Sequence, residues 1–277
     1  MSTAALNQGK ICISLCAKTA GELAEKIERA AVLADVIEVR FDCSAPEQLH
    51  QCVEVATAAK AEVLATFRPK SEGGFRDISN DERIDFWNQG NELGFWGADL
   101  EEDQIEDSFS WLWDNRIVSF HDFSGTPSNL ESIYARLAAT GANIVKIAVQ
   151  ADRITDAIPL WKLLERARTE NNKLVPIAMG EGGKWTRILG LAHGSPLAYA
   201  SLDRAGGTAP GQITAADLIS VYRVKNLSRE SKVFGLIAGD TSYSMSPYIQ
   251  NAAISHARLD AVFVPLQVAG VEEFFRR

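Results

Sequence analysis

Residues 143–149 read NIVKIAV, a short run of apolar and β-branched residues that carries one lysine, Lys146, near its centre. An unbroken apolar run of this length is typical of a strand that is buried on both faces. Seven comparable runs occur in the first ~225 residues, and each is followed by a stretch with the 3.6-residue period of an amphipathic helix. This alternation predicts a parallel sheet whose crossover connections are helical.

The predicted strands and helices follow one another along the chain. The strands are Lys10–Ala17, Val36–Asp42, Glu62–Arg68, Gly94–Leu100, Arg116–Phe123, Asn143–Val149, Lys173–Met179 and Leu197–Leu202. The helical stretches are Ala20–Leu33, Pro46–Ala59, Asn80–Leu93, Ser128–Ala139, Ile154–Thr169, Gly183–Leu191 and Thr214–Tyr222, and the weakest helix prediction is Gln104–Trp113. Eight β/α units of this size indicate an α/β protein with a closed (β/α)8 barrel, the TIM barrel. An open doubly wound sheet is the alternative, and it is less favoured because no GxGxxG motif follows the first strand.

The pattern changes after Tyr222. We predict a barrel at residues 1–225, a polar linker at 226–231 and a short partial βαβ extension at 232–277. The extension consists of a strand, a helix and a second strand, at Lys232–Ala238, Pro247–Ala257 and Ala261–Leu266. About 45 residues cannot bury a core by themselves. We therefore expect the extension to pack on the barrel, to pair with another chain or to be poorly ordered.

The composition is that of a globular protein, with 277 residues, 46% of them hydrophobic and 23% charged. The net charge of −8 argues against a nucleic-acid partner, which would require a basic face. No apolar run is long enough to cross a membrane and the N-terminus has no signal-peptide core, so we expect a cytoplasmic protein with no membrane partner. Four cysteines without a CxxC pair indicate buried free thiols in a reducing compartment: Cys12, Cys16, Cys43 and Cys52.

Polar residues interrupt the predicted strands near their C-terminal ends, which face the active site in a barrel. Glu38 and Arg40 lie two residues apart and therefore share one face of the second strand. The third strand ends at Arg68, and the fifth ends with His121 and Asp122. A charge that leaves water is costly unless a partner compensates it. These positions are therefore candidates for chemistry.

Lys146 is the most informative of these residues, because apolar residues flank it on both sides. Burial and nearby arginines would favour the neutral amine, which is a nucleophile. Alternatively, the lysine extends to the barrel rim or pairs with a buried carboxylate. His121, on the adjacent strand, favours the catalytic interpretation, although it could also be a core histidine bonded to backbone. Asp122 points to the opposite strand face, so Glu72 is the better candidate to orient His121.

Arg40, Arg68 and Arg187 are either rim salt bridges or the binding groups for an anionic substrate. Residues 206–211 resemble a P-loop only in their glycine spacing, since Gln212 follows where the motif needs lysine, and we interpret them as a lid. The four histidines show no metal-ligand spacing, so no metal is expected. The residues alone thus predict a barrel enzyme with a Schiff-base lysine and a histidine acid–base. Its substrate would be a small anionic carbonyl compound, and its reaction either aldol cleavage or dehydration.

Five groups of motifs resemble the type I 3-dehydroquinate dehydratases. They are EVR at 38–40, TFR at 66–68 with EGG at 72–74, SFHDF at 119–123, VKIA at 145–148 and APGQI at 209–213. They occur in the family's order, and the resemblance extends from Lys10 to about Arg223. It implies a TIM barrel that dehydrates 3-dehydroquinate to 3-dehydroshikimate in the shikimate pathway, without a metal or an organic cofactor.

The resemblance also implies a role for each matching residue. Lys146 would form an imine with the C3 ketone of the substrate, His121 would transfer the protons, and Glu72 would orient His121. Arg187 would bind the substrate carboxylate. The other substrate-binding residues would be Glu38, Arg40, Arg68, Thr208 and Gln212, with Thr208 standing where the family commonly has serine. A class I Schiff-base aldolase acting on a small anionic sugar remains the alternative function, and the match at Arg187 and at the APGQ loop disfavours it.

The extension resembles the beginning of the shikimate dehydrogenases. The resemblance rests on KVFGLI at 232–237, TSYSMSP at 241–247, NAA at 251–253 and VFVPL at 262–266. It implies that Ser244 and Ser246 match the serines that hold the shikimate carboxylate in that family, here as a vestigial site. Only the first ~40 residues of that family are matched, so no dehydrogenase activity is expected. The sequence leaves open whether the barrel forms a homodimer or docks, through its extension, on a separate shikimate dehydrogenase chain.

Overall fold

The computed structural model describes residues 7–90, 93–110, 113–204, 211–270, 272 and 275. Within these residues, eight parallel strands form the main sheet. They are β1 (Lys10–Cys16), β2 (Val36–Arg40), β3 (Val63–Thr66), β4 (Gly97–Glu101), β5 (Asn115–Asp122), β6 (Ile144–Gln150), β7 (Leu174–Met179) and β8 (Leu197–Ala200). The α-helices found in the same part of the chain, up to residue 220, are α1 (Ala20–Ala30), α2 (Leu49–Thr57), α3 (Asn80–Gly90), α4 (Leu130–Ala138), α5 (Ile158–Thr169), α6 (Lys184–Leu189) and α7 (Ala215–Ser220).

The main sheet closes almost completely into a barrel. Neighbouring strands pair in chain order from β1 to β7, and β8 returns to pair with β1. The return pairing places Cys12 of β1 beside Tyr199 of β8. Among the described residues, no ladder joins β7 to β8. The prediction of a (β/α)8 barrel is confirmed.

The helices α1 to α7 lie where the sequence predicts them, with ends that differ from the prediction by up to four residues. Helix α1 shows why its sequence is helical. The side chain of Thr19 accepts a hydrogen bond from the Glu22 backbone at 3.2 Å and so caps the first turn. Leu23 and Ile27, four residues apart, are buried on the side that faces the sheet. This spacing places one apolar stripe of the helix against the barrel and leaves the charged residues in water.

One helix prediction is wrong. Within the described part of Gln104–Trp113, the chain forms short 3-10 segments at Glu102–Gln104 and Asp107–Ser110 and no α-helix. The Ser108 hydroxyl donates to the Ile105 carbonyl at 2.5 Å, so a side chain competes for the backbone bonds that an α-helix needs.

The interior of the barrel changes character from the bottom to the mouth. An apolar cluster inside it consists of Cys12, Val36, Leu64, Ile117, Ile144, Ala148, Val175, Ile177, Met179, Leu197 and Tyr199, and on β2, β3 and β5 its members precede polar positions. Alternate residues of a strand point to the same side. Two positions after Val36, Leu64 and Ile117, the same strand faces therefore carry Glu38, Thr66 and Ser119, all buried.

Two of the four cysteines form a disulfide, which corrects the prediction of free thiols. Cys16 ends β1 and Cys43 follows β2, and the two residues form a disulfide with their Cα atoms 5.4 Å apart. Cys12 and Cys52 are free and buried, as predicted. The spacing argument considered only neighbours in sequence, whereas the pairing of β1 with β2 brings together cysteines that are 27 positions apart.

The predicted extension forms a small βαβ structure that we call the C-terminal unit (residues 232–270). Its elements are β9 (Lys232–Ala238), α8 (Ser246–His256) and β10 (Ala261–Gln267), each within one residue of the prediction. The strands β9 and β10 pair in parallel, and β10 lies against α6 of the barrel. In the described part of the chain, no helix has the length and apolar character needed to cross a membrane.

Candidate active site

Lys146 lies at the centre of a buried ionic cluster inside the barrel mouth. Its side chain comes from the middle of β6 and is only 5% exposed. Nζ donates to Oδ2 of Asp99 at 2.5 Å and lies 3.8 Å from Oε1 of Glu38. The same Nζ lies 4.5 Å from the centre of the Tyr199 ring. Lys146 therefore pairs with a buried carboxylate, which is one of the environments that the sequence predicted for it.

Asp99 connects this lysine to a buried arginine. Arg68 is fully buried, and its Nη2 lies 2.9 Å from Oδ1 of Asp99. Burial raises the pKa of the Asp99 carboxyl, but Lys146 and Arg68 lower it more, so that the net pKa lies far below its ordinary value. Asp99 is therefore an anion shared by two cations.

Glu101, two residues after Asp99 on the same face of β4, is also buried. It lies 3.3 Å from Arg68 and 3.2 Å from Arg83. Burial raises the pKa of Glu101 to about 7, although Arg68 acts in the opposite direction. Glu101 is therefore partly protonated at neutral pH.

His121 lies on β5, next to the strand of the lysine. Ser119 is the direct neighbour of Lys146 in the β5–β6 ladder, and His121 follows two residues later on the same face. Nη1 of Arg68 lies 3.0 Å from Nδ1 of His121. An arginine can only donate, so Nδ1 accepts and the neutral ring carries its proton on Nε2. Burial, and then Arg68 and Lys146, lower the pKa of His121 well below its ordinary value, which keeps the ring neutral.

Of Glu38 and Arg40, which were predicted to share one face of β2, Glu38 reaches the ionic cluster and Arg40 pairs with Asp42 beside it. Glu38 accepts hydrogen bonds from the hydroxyls of Ser14 and Thr66, its neighbours on β1 and β3. Arg40 makes two hydrogen bonds to Asp42, at 2.9 and 2.7 Å. Because both carboxylates hold defined partners, the polar wall of the mouth is ordered before any substrate binds.

Arg187 stands apart from these ion pairs. It is 97% buried, since its exposed fraction is 3%, and its Nη1 donates to the backbone carbonyls of Ala178 and Gly211 at 3.1 Å each. Within the described residues, Nε and Nη2 have no hydrogen-bond partner. Burial lowers the pKa of Arg187 to about 10, with Glu181 as the acidic residue that counteracts it. A buried guanidinium with two free donor groups is ready for an anionic ligand.

The polar groups of the mouth are arranged for proton transfer and anion binding. Among the described residues, no group of three or more histidine, cysteine, aspartate or glutamate side chains is placed to hold a metal ion. A buried lysine, a neutral histidine on the adjacent strand and an unpaired arginine can together bind an anionic carbonyl compound and move its protons.

The sequence profile of the type I 3-dehydroquinase family matches residues 11–229, which is almost the entire barrel. The chain belongs to this family. The matched range contains strands β2 to β8, all of β1 except Lys10, and the candidate residues on these strands.

Individual relatives agree with the family match. The chain is 34% identical to a 3-dehydroquinate dehydratase from Methanothermobacter thermautotrophicus over 210 residues, 74% of this chain and 91% of the relative. It is 32% identical over 281 residues to a bifunctional 3-dehydroquinate dehydratase/shikimate dehydrogenase from Arabidopsis thaliana. That alignment covers 98% of this chain but 46% of the relative, so the chain spans about half of the bifunctional protein. A crystal structure of 3-dehydroquinate dehydratase from Geobacillus kaustophilus is similar at a TM-score of 0.68 and 26% identity, over 78% of this chain and 90% of that one.

The structure brings four of the predicted site residues into direct contact with one cluster. Contacts link Glu38, Lys146, Arg68 and His121 into one cluster through Asp99 and Arg68. Arg40 and Arg187 lie at the same mouth without joining these ion pairs. Each of them has other partners, as described above.

Other predicted residues are not joined to this cluster. Glu72 follows β3 in a short 3-10 segment and lines a cavity of about 480 Å³ that borders the cluster at Glu101 and Ser119. No hydrogen bond joins Glu72 to His121 in the part of the chain described. Gln212 lies at the end of the loop after β8, and Thr208 lies outside the described residues. Ser244 and Ser246 lie in the C-terminal unit, where the Ser246 backbone donates to the Ser244 hydroxyl at 3.2 Å.

Sequence reasoning missed the residue that contacts Lys146. Asp99 is fully buried within GADLE, the sequence of β4. The signal that identified Glu38 and Lys146, a charge inside an apolar strand, was present there as well. The predicted strand Gly94–Leu100 already contained Asp99, so the same argument applied to Asp99 would have identified it.

Proposed function

We propose that the chain dehydrates 3-dehydroquinate to 3-dehydroshikimate, with Lys146 as the Schiff-base nucleophile and His121 as the general acid–base. The observation that carries the proposal is the placement of Lys146 and His121 on adjacent strands, facing the same barrel interior. The membership of the chain in the type I 3-dehydroquinase family supports it.

The first step is attack of the Lys146 amine on the C3 ketone of the substrate. The ammonium must first lose a proton, which His121 can accept in the tautomer that leaves Nε2 free. Addition to the carbonyl and loss of water then give an iminium, which acts as the electron sink of the reaction. Asp99, which lies 2.5 Å from Nζ, remains as the counter-ion of the positive nitrogen.

The second step is the elimination. His121 removes the proton at C2, and the electrons of that bond move toward the iminium nitrogen. The C1 hydroxyl leaves as water when His121 returns the proton to it, and a second water hydrolyses the imine to release the product and Lys146. Each proton that His121 takes is returned within the cycle, so no external oxidant or reductant is needed.

Base catalysis requires the other tautomer of His121. With Arg68 donating to Nδ1, the proton sits on Nε2, and Nε2 cannot accept a proton from the substrate. A carboxylate at Nδ1 would hold the proton there and free Nε2. We therefore retain Glu72 as the proposed orienting group, which would replace Arg68 at Nδ1 when substrate is bound.

Substrate binding would use the unpaired guanidinium of Arg187 for the carboxylate. Its two free donors suit the two oxygens of that group. The hydroxyls of the substrate would contact the polar wall of the mouth. The residues proposed for this role are Glu38, Arg40, Arg68, Gln212 and Thr208.

The test is to mix the chain with 3-dehydroquinate and follow the near-ultraviolet absorbance of the conjugated product. Borohydride added during turnover should reduce the imine and fix a covalent adduct that mass spectrometry locates at Lys146. Lys146→Ala should lower kcat by at least about 10⁴-fold and form no adduct. The matched control is Lys232→Ala, in the exposed first residue of β9, which should retain full activity. Turnover by the Lys146→Ala variant would refute the assignment.

We also propose that the C-terminal unit is the opening βαβ element of a shikimate dehydrogenase-like module that docks on further dehydrogenase sequence. Two observations support this. The alignment with the bifunctional relative includes the C-terminal unit, and the first four residues of β9 are exposed although Val233 and Phe234 are large and apolar. Co-elution with a shikimate dehydrogenase chain in size-exclusion chromatography tests the proposal. Phe234→Lys, which places a charge on that strand, should abolish co-elution, and a wild-type chain that elutes alone would contradict it.

A further inference from the structure

Helix α6 is buried on every side, which is unusual for an outer helix of a barrel. All five residues from Trp185 to Leu189 are buried, and the exposed fraction of none of them exceeds 9%. Surface helices normally keep one polar face in water, and a helix that is buried all round requires a cover. In α6, Trp185, Ile188 and Leu189 have the i, i+3, i+4 spacing of one apolar face, and Arg187 lies on the opposite side.

The cover is the C-terminal unit. Strand β10 packs against α6, and its Val262 and Val264 are completely buried in the same apolar cluster as Ile188. Alternate residues of β10 point the other way, toward α8, and Ile254 of α8 is buried outside the barrel cluster. One face of β10 therefore belongs to the barrel core and the opposite face to the unit itself.

Polar contacts fix the unit in this position at separate points. Nη2 of Arg223 donates to the Ala261 carbonyl at 3.0 Å, at the start of β10. At the other end of the strand, Nε2 of Gln267 donates to the Asp152 carbonyl at 3.4 Å. The Tyr248 hydroxyl of α8 lies 3.0 Å from Nη2 of Arg204. The unit is thus held against the barrel at both ends of β10 and at α8.

Arg187 extends from α6 to the opposite side, into the barrel mouth. The turn before the helix has no space to adjust, because a Cβ on Gly183 would lie 2.1 Å from the Ala178 carbonyl oxygen. A Cβ on Gly211 would lie 2.6 Å from the Gly180 carbonyl oxygen. Any displacement of α6 must therefore move Arg187 or break the backbone contacts that hold its guanidinium.

We infer that the C-terminal unit is a positioning element of the dehydratase site: Val262 and Val264 of β10 support the outer face of α6 and thereby hold Arg187 where it binds the substrate carboxylate. This inference rests on the proposed function of Arg187. It assigns the unit a role in the barrel reaction, separate from any dehydrogenase partner.

The experiment compares two variants of the full chain that remove similar amounts of apolar side chain. Val262→Ala/Val264→Ala removes methyl groups from the face of β10 that touches α6. Ile254→Ala, the matched control, removes them from the opposite side of the unit. We expect the first variant to raise KM for 3-dehydroquinate about tenfold, with kcat within about threefold of wild type, because a small misplacement of a binding group weakens binding. The control should leave both constants at wild-type values.

Arg187→Ala provides a second readout that a merely structural role would not change. In the Arg187→Ala background, the two valine substitutions should raise KM no further, because the group that they position is already absent. If the double variant does not fold, Val264→Thr, which has nearly the same shape, is measured instead and should raise KM about twofold to threefold.

The possible results separate the two proposals. Absence of turnover by the wild-type chain would refute the proposed function. The positioning inference would then be tested by calorimetry, which compares the affinity of the valine variant and of Ile254→Ala for 3-dehydroshikimate. Wild-type turnover with an unchanged KM in the valine variant would overturn the positioning inference. An equal rise of KM in Ile254→Ala would also overturn it, since the effect would then come from general loosening of the unit.

Discussion

Strands β6 and β9 have similar compositions but very different surroundings. Both are seven-residue apolar runs with one lysine, IVKIAVQ and KVFGLIA. The first six residues of β6 are buried between β5 and β7, whereas the first four of β9 are exposed beside its single described neighbour, β10. An apolar run therefore predicts a strand, but the number of neighbouring elements decides how much of the strand is buried.

The barrel and the C-terminal unit also differ in how far their charged residues are buried. In the barrel, Lys146 and Arg68 are buried, and each has a carboxylate within 3 Å. In the C-terminal unit, the lysine of β9 is its exposed first residue. Burial makes the barrel charges sensitive to any change of partner, because an unpaired charge in a low-dielectric interior is costly. The predictions below use this contrast.

The largest difference in stability between the two regions is expected when an aspartate in each of them is replaced by asparagine. Asp99→Asn removes a buried anion that two cations share, and it should destabilise the chain by about 3–5 kcal/mol. It should also lower kcat/KM about 100-fold, since Lys146 loses the group that positions it. Asp260→Asn, at an exposed aspartate that accepts from Ser231, should cost less than about 1.5 kcal/mol. Urea denaturation and steady-state kinetics measure both, and equal losses of stability would show that the two regions do not differ in this way.

A smaller loss is expected from opening the disulfide. Cys43→Ser frees a loop closed between residues 27 positions apart and should lower the free energy of unfolding by about 2–4 kcal/mol. Cys52→Ser, at a buried free thiol, is the control. A reducing agent should lower the stability of the control but leave that of Cys43→Ser unchanged. If dithiothreitol leaves the melting temperature of the wild-type chain unchanged, the thiols are reduced in solution, as the sequence suggested.

A change of pH is expected to have a modest effect on kcat/KM. His121 must be neutral to accept a proton, and its lowered pKa keeps it neutral to more acidic pH than an ordinary histidine. A histidine with the ordinary pKa of about 6.5 would lose about half of its base form at pH 6.5. We expect kcat/KM to stay nearly constant from pH 7.5 to 6.5 and to fall only at lower pH. Circular dichroism over the same range controls for acid unfolding, and half-maximal activity at pH 6.5 would contradict the effect of burial and Arg68 on His121.

The smallest effect on stability is expected at the exposed strand β9. Phe234 of β9 is 50% exposed, so Phe234→Thr should change the free energy of unfolding by no more than about 0.5 kcal/mol. Val264→Thr, at a completely buried position of the neighbouring strand β10, should cost about 1–3 kcal/mol because it buries a hydroxyl. A loss of similar size at Phe234 would indicate that β9 is covered in solution by a partner or a second copy of the chain.

Most of the fold could be predicted because its signals are local. A short apolar run followed by a 3.6-residue period needs no tertiary information, and this pattern located all eight strands and the elements of the C-terminal unit. The exception at Gln104–Trp113 is also local, since Ser108 bonds to the backbone of its own turn. Strand ends were predicted less accurately. Strands β4 and β6 continue one residue past their predicted ends, whereas β1, β2, β3, β5 and β8 end one or two residues before theirs.

The site could be predicted less completely, because its contacts join residues from different strands. The position of Lys146 within an apolar strand showed that it was unusual, but its partner Asp99 is 47 positions away. Glu72 and His121 were expected to meet, whereas Arg68 is the residue that contacts Nδ1 of His121. Each of these contacts depends on the register between neighbouring strands, which apolar periodicity does not specify.

The sequence by itself determined which residues form strands, which strand positions carry charges and which family the motifs resemble. These properties depend on side chains and on neighbours within a few positions. Only the tertiary structure decided that Asp99 holds Lys146, that Cys16 and Cys43 pair, and that β10 covers α6 while β9 stays exposed. The physical reason is that burial and ion pairing depend on distances between segments far apart in the chain, and closure of the barrel sets those distances.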